Sequence, residues 1–290
     1  MSDDRELEEH EEHEEREERG GREPGNERRM TFIEHLGELR KRLGRSLLYL
    51  IVGVSVAYFY KEKLLTFLSK PLRLAYKTRG MGVPNLNFGD PVDPFLSYLY
   101  LALIGGFFLV APLILWELWA FVAPGLYRRE KRYALPFVVG STVCFVGGAY
   151  FGYSAVLPIG FDFFLGFAGK IGGGLEVRPV LMMEEYLSFT TRMLLAFGIV
   201  FELPLFITFL SIAGIVNWWQ LVKFSRWFIV IAVTVGAILT PPDVTSQMLM
   251  SVPLVGLYFI SILLARFLGP KVPPEDLPWR RKKVKKDAPT

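Results

Sequence analysis

The chain has almost no cysteine and almost no histidine. Cys144 is the only thiol among 290 residues, so neither an intrachain disulfide framework nor a Cys-rich zinc site can form. The three histidines, His10, His13 and His35, all fall within the first 35 residues. Their spacing among glutamates matches no established metal site. No serine sits in a nucleophile-elbow context, so no catalytic residue, metal or cofactor is implied. The N-terminus lacks the basic start and apolar core of a signal peptide. The ten-residue alternation that builds a membrane β-barrel is missing too. Basic residues form no single patch, which argues against nucleic acid as a partner.

What the chain does have is apolar length. Hydrophobic residues make up 51% of it and aromatics 14%. The formal net charge of +4 averages two unlike parts. Residues 1–27 carry 13 acidic and 4 basic side chains, a net −9, while residues 28–290 carry 29 basic and 16 acidic, a net +13. The acidic stretch has too little apolar material for a core. Residues 1–29 are therefore expected to be a disordered leader, 30–268 a membrane domain and 269–290 a basic tail.

A helix needs about 20 residues to cross a hydrocarbon layer of about 30 Å. Six segments approach or exceed this, at about 44–62, 95–120, 134–158, 187–213, 224–240 and 247–266. The fifth is marginal. Ahead of the first, Thr31-Phe-Ile-Glu34 has the form of a capping box, and Leu36, Leu39, Leu43, Leu47 and Leu50 recur at helical spacing. The expected fold is an all-α polytopic bundle of six transmembrane helices. From Arg28 onward, twenty Lys and Arg fall on the side shared by both termini and eight on the other, which places both ends in the cytoplasm. The two larger outside loops, about 63–94 and 159–186, contain enough apolar residues to form a structured extracytoplasmic cap.

Candidate functional groups are carboxylates in or beside the membrane. Glu202 stands in an apolar run, where a charge costs from a few to over ten kcal/mol. It is either a functional polar site or a carboxylate satisfied by a neighbouring helix. Pro204 removes a backbone hydrogen bond beside it and can bend the helix. Glu117 ends the second span and reads equally as an interfacial, snorkelling glutamate or as a ligand. Glu38 shares a helix face with Glu34 and stands four residues before Arg42. Glu130 lies among Arg128, Arg129, Lys131 and Arg132. Asp243 most simply caps the sixth helix, and Glu184 and Glu185 suit a helix N-terminus.

Four stretches in order resemble the TatC family, the multispanning subunit of the twin-arginine protein translocase. They are His35-Leu-Gly-Glu38-Leu-Arg40-Lys-Arg42, the run from Trp119 through Phe121 and Pro124 to Glu130, Phe197 to Pro204, and Thr240 to Gln247. The likeness covers about residues 30–268. It implies a receptor in the cell inner membrane that binds twin-arginine signal peptides of folded cargo at its cytoplasmic face. Transport would draw on the proton-motive force. By position, Glu38 and Glu130 would meet the two arginines, Arg40 would orient the site, and Phe121 and Pro124 would shape it. Glu202 would contact single-span TatA/TatB-type partners, and Pro71 matches a cap proline. Homo- and hetero-oligomers and membrane lipids are the other implied partners. Glu117 departs from the glutamine expected there and would add negative charge near the partner surface. Two other readings stay open on the residues alone, an ion-coupled transporter built on Glu202 and a passive membrane scaffold.

Overall fold

The computed structural model describes residues 32–122, 134–171, 175–239 and 244–269. Among them are six helical segments long and apolar enough to cross a membrane. The first, α1 (Phe32–Phe59), is one unbroken helix of 28 residues, about 42 Å long at 1.5 Å per residue. That exceeds the hydrocarbon thickness, so the expected 44–62 span is the distal part of a longer rod. The rod stops at Phe59 because Tyr60, at φ −103° and ψ 18°, leaves helical geometry. The Thr31 cap expected at its start lies outside the described residues, as do the leader 1–29 and the tail from 270.

The second span is α4 (Asp93–Val122), with Pro112 inside it. The third combines α5 (Ala134–Phe151), a π-helical turn at Gly152–Val156 and α6 (Leu157–Leu165). It runs beyond its expected end at 158. Pro158 brings no N–H, so the Ser154 carbonyl loses its α-helical donor, and the widened turn falls just before that gap. The fourth span is α7 (Met183–Phe201) and α8 (Leu203–Ile212), interrupted at Glu202. The fifth, expected to be marginal, is the 22-residue α9 (Trp218–Leu239). Gln220, Lys223 and Arg226 depress its hydropathy without breaking the helix. The sixth is α10 (Val244–Leu268).

The fourth span is central: half of its apolar window is buried, against 11% for the first span. Close helix crossings depend on glycine, as is usual where lipid supplies no hydrophobic drive. At the α1–α4 crossing, a Cβ on Gly106 would stand 2.5 Å from the Val54 nitrogen and 2.7 Å from the Gly53 carbonyl carbon. At the α5–α7 crossing, a Cβ on Gly148 would stand 2.5 Å from the Phe197 carbonyl oxygen. Helices α9 and α10 form a pair held by Phe228 stacked on Tyr258 at 3.9 Å between ring centroids. The Tyr258 hydroxyl donates to the Leu221 carbonyl at 2.8 Å.

The connections after the first and third spans are structured. Helices α2 (Lys61–Leu68) and α3 (Lys70–Thr78) meet at Ser69. Pro71 is buried in the first turn of α3, where its missing N–H leaves no bond unmade. Tyr153 and Tyr186 donate to the last carbonyls of α2, Phe67 and Leu68, at 2.8 and 2.7 Å. Arg79 grips Asp162 with two hydrogen bonds of 2.7 and 2.9 Å. The expected six-helix bundle is present, and these structured connections also contain two short ladders. Strand β1 (Leu86–Asn87) pairs in parallel with β4 (Leu181–Met182), and β2 (Gly169–Ile171) pairs antiparallel with β3 (Leu175–Val177).

Candidate functional site

By its contacts the chain divides after Lys41. The described part of the first unit is the stretch Phe32–Lys41, the start of α1. Glu38 is half-buried there and Arg40 is exposed. In the second unit Phe121 is half-buried in the last turn of α4. Pro124, Glu130 and Asp243 lie outside the described residues. Of the expected peptide-binding set, Glu38, Arg40 and Phe121 therefore have a described position.

Glu117 does not snorkel. It is 4% exposed and accepts hydrogen bonds from Arg42 at 3.0 Å and Arg45 at 3.2 Å. The two arginines lie three residues apart on α1, so they share a helix face. Arg42 is largely buried with its partner, at 18% exposure, whereas Arg45 is 55% exposed. The expectation of free negative charge at a partner-facing surface is thus corrected. The carboxylate is neutralised inside the chain, because a desolvated charge requires an opposite charge and donors close by. Sequence reading missed both arginines as its partners. Their i,i+3 spacing was a visible signal, but 72 and 75 residues separate them from Glu117.

Glu202 occupies the break between α7 and α8. Pro204 cannot donate to the Val200 carbonyl, and the chain responds with a tighter bond from the Glu202 amide to Ile199, at 3.1 Å. The Phe206 amide then restarts the helix by donating to the Glu202 carbonyl at 2.9 Å. The Ser141 hydroxyl of α5 donates to Glu202 Oε2 at 2.5 Å. Oε1 is inaccessible to solvent and has no hydrogen-bond partner among the described residues. One carboxylate oxygen is held, and the other retains capacity to accept a proton donor. Trp119, Phe137 and Phe209, from α4, α5 and α8, form an edge-and-stack aromatic cluster with centroids 5.0 to 5.6 Å apart. Ser141 was not anticipated from sequence, since a serine inside an apolar helix is a weak signal.

Two further polar groups serve the bundle. Gln247 donates to the Val233 carbonyl at 3.0 Å, tying α10 to α9. Glu184 and Glu185 occupy the first turn of α7, as expected. Among the described residues no group of three His, Cys, Asp or Glu side chains could hold a metal ion.

The same geometry has known counterparts. Residues 34–253 match the family model described as Sec-independent protein translocase protein (TatC). The chain is 45% identical over 245 residues to the Sec-independent protein translocase protein TatC of Desulforapulum autotrophicum, covering 84% of this chain and 87% of the relative. It is 37% identical over 237 residues to the protein of that name from Aquifex aeolicus, covering 82% and 95%. A crystal structure described as the twin arginine translocase receptor TatC aligns with a TM-score of 0.70 at 37% identity, covering 81% of this chain and 99% of that one.

Proposed function

The chain belongs to the TatC family of Sec-independent protein translocase proteins, and from that membership we propose which of its residues receive cargo and which recruit partners. As a family member it is a multi-pass membrane protein and a receptor component of the twin-arginine translocase. The transporter reading of Glu202 gives way to this one, since the relatives bear translocase names.

The receiving site in this reading comprises Glu38, Arg40, Phe121, Pro124 and Glu130, at the cytoplasmic face of the inner membrane with both termini on that side. It takes the twin-arginine signal peptide of a folded cargo protein, and export draws on the proton-motive force. The observation that carries the reading is that the matched region, residues 34–253, contains both carboxylates within the two family-like stretches. A carboxylate receives a guanidinium through paired, charge-assisted hydrogen bonds. Lysine cannot supply that planar fork. The test is cross-linking in membranes to a twin-arginine peptide. Glu38→Ala with Glu130→Ala should abolish the adduct, and a twin-lysine peptide should give little with the parent chain. An undiminished adduct from the double variant would overturn the assignment.

Glu202 serves the partner helices in this reading. The support is its second oxygen, held at mid-span with no donor among the described residues. A single-span TatA- or TatB-type helix with a polar side chain would supply that donor. Glu202→Gln should reduce co-purification of such partners severalfold while the bundle stays folded, because the amide can still accept from Ser141. Co-purification at the parent level would return Glu202 to a structural role.

A further inference from the structure

The side of the bundle with few Lys and Arg still carries six of them in one connection: Lys61, Lys63, Lys70, Arg73, Lys77 and Arg79. A cationic cluster there runs against the usual charge bias of membrane loops. Several of these cations are engaged within the chain. Arg79 holds Asp162, Arg73 donates to the Thr66 carbonyl and Ser69 hydroxyl, and the Lys61 ammonium lies 4.2 Å from the Tyr58 ring centre. Lys63 and Lys70 lie 5.1 and 5.5 Å from the Tyr60 and Phe67 ring centres, and no carboxylate is within 4 Å of either among the described residues. With Glu62, Thr66 and Phe67 they line an open cleft of about 330 Å³ at the end of the first span.

Behind Phe67 lies a second space of different character. It is a crevice of about 250 Å³ walled by Leu64, Ile104, Phe108, Val146, Tyr150 and Leu194, with almost no polar surface. Phe67 lines both spaces and stacks on Tyr153 at 4.5 Å between centroids. Along α4 the crevice runs from Leu101 to Phe108, about 10 Å of helix. The apolar crevice and the cationic cleft adjoin across Phe67.

We propose that this paired site binds one anionic phospholipid, with an acyl chain in the crevice and its phosphate between Lys63 and Lys70. Size decides between a lipid chain and a protein helix. A helix with side chains is about 10–12 Å across, so a 250 Å³ crevice would hold only about 3 Å of its length. A single hydrocarbon chain fills the same volume along its depth. Charge decides the headgroup. A lysine near an anionic lipid surface strengthens binding about fivefold. Two lysines opposed by Glu62 leave one net positive charge and a preference of roughly fivefold over a zwitterionic lipid.

The experiment uses the full chain, delipidated in detergent and then supplied with phosphatidylglycerol or phosphatidylcholine, with retained lipid counted by native mass spectrometry. The parent should retain the anionic lipid about fivefold better. K63Q/K70Q should erase that preference, and Val146→Trp, at a half-exposed wall position, should lower retention of both lipids. Equal retention by the parent, or an unchanged preference in K63Q/K70Q, overturns the headgroup assignment. A diazirine-bearing acyl chain on the parent protein gives a readout independent of any variant's folding. Adducts on peptides holding Ile104 or Val146 support the site. Adducts confined elsewhere, or none because a helix fills the crevice, overturn it.

Discussion

Glu117→Ala is expected to destabilise the protein by about 3 kcal/mol, since removing one partner of a buried ion pair takes away the opposite charge that offsets the other's desolvation. Arg42 bears most of that loss, because it is largely buried against Glu117. Arg45 contributes little to the loss, as it is more than half exposed and can return to water. At roughly 2–4 °C per kcal/mol for a domain of this size, the unfolding midpoint in detergent should fall by roughly 6–12 °C. Glu117→Gln should cost less, because it keeps the shape and one acceptor oxygen. Combining Glu117→Leu with Arg42→Met should recover most of the loss, since an apolar pair of similar volume carries no desolvation penalty. A double variant as unstable as Glu117→Ala would show that the arginine's packing, and not its charge, holds α1 at this point.

Gly106→Leu is expected to be at least as damaging, at more than about 3 kcal/mol, because the side chain would have to occupy the space of another helix's backbone. The atoms in its way are the Val54 nitrogen and Cα and the Gly53 carbonyl carbon, all within 2.7 Å of the added Cβ. None can rotate aside. Helix α1 has few other buried contacts, so it should separate from α4 and not strain in place. Faster amide hydrogen exchange over residues 46–59 would report that separation. Gly147→Ala is the matched control, as its Cβ would meet nothing within 4 Å. It should be neutral or stabilising by about 0.5–1 kcal/mol, through helix propensity. Equal damage from both substitutions would mean that the crossing is looser than these distances indicate.

Much of the architecture was legible from the chain itself. Six spans follow from runs of apolar residues, since transfer into lipid depends on composition over about 20 residues and not on neighbours. The fifth helix was underestimated for the same reason, because Lys223 and Arg226 count against hydropathy although nothing stops them from being helical. The break at Glu202 was also foreseeable, as Pro204 lacks a donor wherever it stands. The site was only partly legible. Glu202 was conspicuous as a charge in an apolar run, yet its partner Ser141 was not, because a hydroxyl is common in membrane helices.

The sequence by itself therefore determined what is local or additive: the number of spans, the interruption at Pro204, and the acidic residues whose desolvation makes them notable. Tertiary structure alone decided which charges remain available. Glu117 and Glu202 look alike in sequence, each a glutamate beside an apolar helix. Folding places Glu117 against Arg42 and Arg45 and closes it off as an internal ion pair, while Glu202 keeps one oxygen without a donor among the described residues. The difference arises because Coulomb and hydrogen-bond energies fall off within a few ångströms. Which groups come that close depends on residues more than sixty positions away along the chain.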